Sequence, residues 1–194
     1  IPLRLVGSEM CIRDRGKRKE ALQMIYAIGL GSNLNSRYGT QYQTLKKTIN
    51  FIKKKNIQVL KTSRVYITQP VGMKGNNWFL NAAILVLTQL NPDNLLLGLK
   101  RIENEMGRNV YRPNTARPCD LDILLTNQNT ILNNKQNKYN ITIPHKELHK
   151  RMFVLKPLMD ICPQWNHPIL DVNIKKIISS SESSEKIRIY RNIL

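Results

Sequence analysis

Long apolar runs are missing from this 194-residue chain: the longest, Leu80–Leu87, is interrupted by Asn81. That is far short of the roughly 20 apolar residues needed to span a bilayer. The arginines near the start are not followed by a sustained apolar segment and a small-residue cleavage site, so no secretory signal is expected. Cysteine is scarce too. Cys11, Cys119 and Cys162 share no C-x-x-C spacing, so neither a zinc site nor a disulfide framework is expected, and reduced thiols point to the cytoplasm. Acidic residues are few, 13 against 31 Lys and Arg, and none falls between Ser32 and Asp93. The resulting charge of +18 raises the question of a nucleic-acid partner. The basic residues are dispersed, at 46–47, 53–55, 100–101, 150–151 and 175–176, with no R-G-G run. Nucleic acid is therefore not the expected partner. A nucleoside triphosphate is also a polyanion and suits a basic enzyme equally well.

What is present is a globular composition, 41% hydrophobic, in a length suited to one domain. Residues 1–23 lack a hydrophobic period and are read as a non-native or disordered leader, with Met24 as the natural start. The domain is expected over 24–178 and a C-terminal tail over 179–194, with Ser179–Ser184 low in complexity. Ile25–Ile28 reads as a buried strand running into a turn at Gly29-Leu-Gly-Ser-Asn33. Tyr42–Lys54 carries Leu45, Ile49 and Ile52 at helical spacing. Val59–Thr68 and Phe79–Leu87 read as strands that pair antiparallel. A helix starts at Asn91-Pro92, buries Leu95, Leu96, Leu99, Ile102 and Met106, and ends at Gly107. Asp120–Leu125 is a further strand. The order β-α-β-β-α-β predicts an α+β fold with a ferredoxin-like core. Residues 127–140 read as a loop or hairpin, and 144–157 and 174–178 as short added helices.

The sharpest local feature is Arg117-Pro-Cys-Asp-Leu-Asp-Ile-Leu-Leu125. On a strand Asp120 and Asp122 share one face while Leu121 and Ile123 take the other. Two adjacent carboxylates repel unless a cation separates them, and magnesium bridges one or two carboxylates to substrate phosphates. The competing reading is a sheet edge with two solvated aspartates. Arg108, Arg112 and Arg117 precede the pair, and guanidinium groups bind phosphate bidentately. Gly29-Leu-Gly-Ser-Asn33 resembles a phosphate-binding turn but lacks both the G-K-[ST] ending and a third glycine. It reads equally as a tight turn that brings Asn33 to the site.

These features resemble those of the 6-hydroxymethyl-7,8-dihydropterin pyrophosphokinases of folate biosynthesis. The landmarks stand in the family's order: Ala27-Ile-Gly-Leu-Gly-Ser-Asn33, Thr68-Gln-Pro-Val-Gly72, Phe79-Leu-Asn-Ala-Ala83, Arg101-Ile-Glu103 with Gly107-Arg108, Ala116-Arg-Pro-Cys-Asp-Leu-Asp-Ile-Leu124, Ile143-Pro-His145 through Leu155, and Ile161-Cys-Pro163 with His167-Pro168. The resemblance implies an ATP-dependent diphosphokinase, acting as a monomer on ATP and the hydroxymethyl pterin without a membrane. It places two magnesium ions on Asp120 and Asp122 and gives Arg108 and Arg117 phosphate-contacting, catalytic roles. It assigns Thr68, Val71, Phe79, Asn81 and Phe153 to the pterin, the two rings stacking on it. Glu103, Thr142, His145 and Arg151 fall to ATP with the arginines. Gln69, Lys100, Asn114, Asn140 and Lys146 depart from common family residues around the substrates, and none of them touches the aspartate pair.

Two rival functions share parts of this pattern. A nucleotidyltransferase also joins a Gly-Ser turn to D-x-D carboxylates, but it needs acidic residues soon after the turn, and none follows until Asp93. An RNA-binding module on the same fold needs exposed aromatics on a glycine-aromatic strand, which no strand here supplies. A catalytically dead scaffold is a third possibility.

Overall fold

The computed structural model describes residues 23–70, 77–108, 115–127, 141–181, 185–192 and 194. Residues 1–22 of the leader expected over 1–23, residues 128–140 of the loop or hairpin expected over 127–140, and Val71, Arg112 and Asn114 lie outside the described residues.

Strand β1 (Met24–Ser32) and strand β4 (Phe79–Thr88) pair antiparallel along their length, Met24 opposite Thr88 and Ser32 opposite Leu80. Strand β5 (Asp120–Thr126) lies on the other side of β1. The single β-rich run expected over 59–68 divides into β2 (Gln58–Thr62) and β3 (Val65–Thr68), both paired antiparallel with β4. The break falls where the buried Ser63 turns its hydroxyl to the Ala83 N–H at 2.8 Å. The order β5-β1-β4-β3 is that of a ferredoxin-like sheet.

Two helices cross one face. Helix α1 (Gln41–Lys53) begins with a capping box: the Thr40 hydroxyl accepts from Gln43 N, and the Gln43 side chain accepts from Thr40 N. Helix α2 (Pro92–Glu105) begins at the Asn91 cap with Pro92 in the first turn. It ends at Gly107, whose φ of +95° reverses the chain into Arg108. Leu95, Leu99, Ile102 and Met106 are buried as expected, and Leu96 is partly so. On the other face lies α3 (Met152–Ile161), entered from a single 3₁₀ turn at 148–150 and followed by α4 (Ile174–Ser179). A short hairpin joins β6 (Asn166–His167) to β7 (Val172–Asn173).

The chain beyond 179 holds an element that the sequence reading leaves out. Strand β8 (Ile187–Arg191) adds to the outer edge of β3, Thr68 opposite Ile187. The pairing continues one step further, where Gln69 N donates to Lys186 O at 3.3 Å. A proline at position 69 would have no N–H to give.

Candidate active site

The site grows from one row of the sheet. Asp120 on β5, Gly31 on β1 and Asn81 on β4 are direct cross-strand partners and therefore share a face, with Gly29 opposite Asp122 one step along. The Gly29–Ser32 segment is thus strand, not the turn its sequence suggests. Its glycines form a floor without side chains. A Cβ at Gly31 would stand 3.4 Å from Asn81 Oδ1 and 3.6 Å from Asp120 Cβ. Above this floor opens a cleft lined by Asn81, Asp120, Asp122, Leu124 and Phe153. Leu121 and Ile123, on the opposite face, are buried in the core as alternation requires.

Both oxygens of Asp120 are occupied. Arg108 Nη1 donates to Oδ1 at 2.5 Å and Arg117 Nη2 to Oδ2 at 2.7 Å. Burial works to raise the Asp120 carboxyl, but the charges of Arg117, Arg108 and Lys100 outweigh it, and the net shift is below the ordinary carboxylate value. Arg108 reaches back as well, 2.5 Å from Glu103 Oε1. Burial opposes its charge, yet Asp120 and Glu103 more than compensate and raise its pKa further. Arg117 also lies over the Phe79 ring at 6.0 Å from its centroid. The chain at Arg117 is held by Asn33: Arg117 N donates to Asn33 Oδ1 at 2.6 Å, and Asn33 N donates to Arg117 O at 3.0 Å.

Glu103 does not open onto the cleft. It is 1% exposed. Its Oε1 accepts from Lys100 Nζ at 2.9 Å and Leu121 N at 2.6 Å in addition to Arg108. Burial raises its pKa in spite of the three donors.

Of the residues expected to face the pterin, Thr68 and Asn81 are buried and joined, Asn81 Nδ2 donating to Thr68 Oγ1 at 2.8 Å. Phe79 is the cross-strand partner of Thr68 and adjoins the Gly31 floor, and Phe153 enters the cleft from α3. Val71 cannot be located among the described residues. On the far side His145 N donates to Leu124 O at 2.9 Å, which brings the histidine beside β5. Burial lowers the His145 pKa against the pull of Asp122, and its Nδ1 accepts from Glu147 N at 3.3 Å. Thr142 and Arg151 are half-buried near it in sequence, with Arg151 over the Phe153 ring at 5.9 Å.

The sequence reading missed the parts of Lys100, which it noted only as a departure, and of Asp160. The Asp160 carboxylate accepts from Arg64 N at 3.0 Å, from the Arg64 guanidinium, and from Tyr66 Oη at 3.0 Å, tying α3 to β3. Asp160 lies three residues after the buried Pro157 in α3, which gave no chemical signal.

A metal finds two carboxylates here and no larger set: among the described residues no three His, Cys, Asp or Glu side chains are grouped to hold an ion. Asp120 and Asp122 share one face, and Asp120 is paired with Arg108 and Arg117; a hard ion held here would take the Asp120 oxygens from the arginines and complete its shell with phosphate and water. No helix among the described residues is long and apolar enough to cross a membrane.

Comparison with known proteins fits this geometry. Residues 27–163 match the family model described as 7,8-dihydro-6-hydroxymethylpterin-pyrophosphokinase (HPPK). A Bacillus subtilis 2-amino-4-hydroxy-6-hydroxymethyldihydropteridine pyrophosphokinase is 33% identical over 165 residues, covering 84% of this chain and 89% of that one. The folic acid synthesis protein fol1 of Pneumocystis carinii is 38% identical over 150 residues, 76% of this chain but only 19% of that protein. The chain likewise spans 26% of the length of a folate synthesis bifunctional protein of Arabidopsis thaliana. Among solved structures, a Plasmodium falciparum HPPK-DHPS aligns with a TM-score of 0.64 at 17% identity, over 83% of this chain and 46% of that one, a likeness of fold.

Proposed function

Because the chain belongs to the 7,8-dihydro-6-hydroxymethylpterin-pyrophosphokinase family, we propose that it transfers a diphosphate from ATP to 6-hydroxymethyl-7,8-dihydropterin, a step of folate biosynthesis. The hydroxymethyl oxygen bonds to the β-phosphorus of ATP, the bond from that phosphorus to the α-bridging oxygen breaks, and AMP leaves. The hydroxyl gives up its proton. We assign no side chain as base.

The observation that carries the reading is the Asp120 carboxylate held by Arg108 and Arg117, with Asp122 on the same face of the cleft. Asp120 and Asp122 are the proposed holders of magnesium, two ions in all. When bound, magnesium supplies charge neutralisation on the phosphates. The two arginines, released from Asp120, turn their charge to the phosphate oxygens, where fixed guanidinium groups stabilise the charge of a transferring phosphoryl group. Arg108 remains anchored at its rear by Glu103, which acts from behind the site. Thr142, His145 and Arg151 are the proposed nucleotide-side contacts, and burial keeps His145 neutral near pH 7.

Thr68, Asn81, Phe79 and Phe153 are the proposed pterin contacts, with Val71 carried from the family pattern. The Thr68–Asn81 bond pre-orients the amide, and the glycine floor presents no side chain to a flat, polar-edged ring. A nucleotidyltransferase reading finds no support, since the site offers no third acid among the described residues. An RNA platform is opposed by α3, which crosses the sheet face that such modules leave open. A monomer in the cytoplasm completes the reading. Purified protein given magnesium, ATP and hydroxymethyl-dihydropterin should form AMP and the pterin diphosphate in equal amounts. Formation of ADP would refute diphosphate transfer.

A further inference from the structure

Among the described residues, strand β5 is the terminal strand of its sheet, with only β1 beside it. In an antiparallel pair alternate residues turn N–H and C=O outward, and on an edge strand those groups have no ladder partner. Leu121, between the two aspartates, is such a residue, and both of its outward groups are nevertheless taken. Its N–H donates to Glu103 Oε1 at 2.6 Å, and its C=O accepts from Lys100 Nζ at 3.2 Å. The two α2 side chains also bond each other at 2.9 Å. They close a ring on one residue: donor meets acceptor, acceptor meets donor, as a neighbouring strand would do.

We propose that Lys100 and Glu103 form a side-chain clamp on the Leu121 backbone that fixes the spacing and direction of Asp120 and Asp122, Lys100 being a positioning residue of the metal site. The assignment rests on the reading of that aspartate pair as the magnesium holder. Glu103 joins two controls at one atom, since the oxygen that holds Leu121 N also holds Arg108 on Asp120. The sequence register makes this economical. Lys100 and Glu103 are one turn apart on α2, so their side chains emerge side by side along the β5 edge. Lys100 is partly exposed, with 41% of its side chain accessible, while its Glu103 partner is at 2%. Removing the amine therefore leaves the core intact but leaves Leu121 O and Glu103 short of a donor. A side chain acting on metal ligands from behind typically changes metal affinity by about 10- to 100-fold.

The test compares wild type, Lys100→Met and Lys100→Arg by three measurements. The first is amide exchange at Leu121 in metal-free protein, followed by NMR. The second is Mn²⁺ affinity in the presence of a non-hydrolysable ATP analogue, read by electron paramagnetic resonance. The third is affinity for that analogue without metal. Lys100→Met should speed Leu121 exchange and weaken Mn²⁺ about tenfold, leave metal-free analogue affinity within twofold, and be rescued in both respects by Lys100→Arg. Unchanged Leu121 exchange in Lys100→Met would overturn the clamp. So would a loss confined to metal-free analogue affinity, which marks Lys100 as a direct nucleotide contact. Failure of the wild type to bind Mn²⁺ with the analogue would instead overturn the parent reading of the aspartates, and with it the positioning role.

Discussion

Asn33 and Arg117, 84 residues apart, are joined backbone to side chain and backbone to backbone, at 2.6 Å and 3.0 Å. One end of β1 thereby holds the segment that presents the Arg117 guanidinium to Asp120. The guanidinium is tied at its tip to Asp120 Oδ2 at 2.7 Å, so both ends of the side chain are held.

Asn33→Ala removes the side-chain half of this tie and should cost turnover more than affinity. A small misplacement of a catalytic group is enough to lose about 10- to 100-fold in rate. Steady-state kinetics should show that fall in kcat with KM for ATP within about twofold, and the melting temperature should drop by only a few degrees, as for about 1 kcal/mol. An equal loss in Asn33→Ala and Asn33→Asp would argue against it, since the aspartate keeps the acceptor.

Gly31→Ala tests the floor of the cleft. Its methyl would stand 3.4 Å from Asn81 Oδ1 and 3.6 Å from Asp120 Cβ, which are tolerable contacts for folding. It would occupy space proposed for the pterin. KM for the pterin should rise about tenfold, about 1.4 kcal/mol, with little change in KM for ATP. Binding titrations that leave the pterin unaffected would place it elsewhere.

That glycine explains why part of the site was hard to read in the sequence. Gly29 and Gly31 weaken the strand pattern of β1 and imitate a turn, although they are there for the absence of side chains on one face. Strand β5 was legible because Asp120-Leu-Asp122 alternates polar and apolar as a half-buried strand does. Glu103 carried a signal that went unused: it falls on the buried stripe of α2 with Leu99, Ile102 and Met106, where a charge needs a partner. Strand β8 was illegible for a different reason. Five residues of Ile-Arg-Ile-Tyr-Arg acquire their meaning only from β3, more than 100 residues earlier, and no local pattern encodes that pairing. The Gln69 N–H that extends the pairing is likewise a substitution whose purpose appears only in three dimensions.

Asp120 gives a pH prediction for the metal-free protein. Its pKa in the fold lies below the ordinary value, so its ion pairs stabilise the protein above that ordinary value, and the contribution is lost as pH falls through the folded pKa. Wild type should exceed Asp120→Asn by about 1–2 kcal/mol at pH 7, allowing for the 19% exposure of the side chain. Urea unfolding at pH 3, below the ordinary carboxylate value, should show a smaller gap, because there the unfolded chain takes up the proton that the paired carboxylate resists. A gap undiminished at pH 3 would contradict the ion-pair account.

The buried thiols give a chemical test of packing. Burial pushes Cys119 up to about 12 and Cys162 up to about 11, with Cys119 beside the Thr48 hydroxyl at 3.5 Å. At pH 8 only about 1 in 10⁴ Cys119 side chains is then thiolate, the reactive form. Thiol reagents followed by mass spectrometry should leave both residues unlabelled until denaturant is added. Rapid native labelling of Cys119 would mean that α1 and the start of β5 open.

The proposed role of the Asp120–Asp122 face is to carry the metal for diphosphate transfer. AMP formation by Asp122→Ala, at saturating magnesium, ATP and hydroxymethyl-dihydropterin, tests it most directly. A loss of at least about 10³-fold is expected, beyond that of a single lost hydrogen-bond donor, with a melting temperature near that of the wild type. Turnover within tenfold of wild type in a folded variant would contradict it.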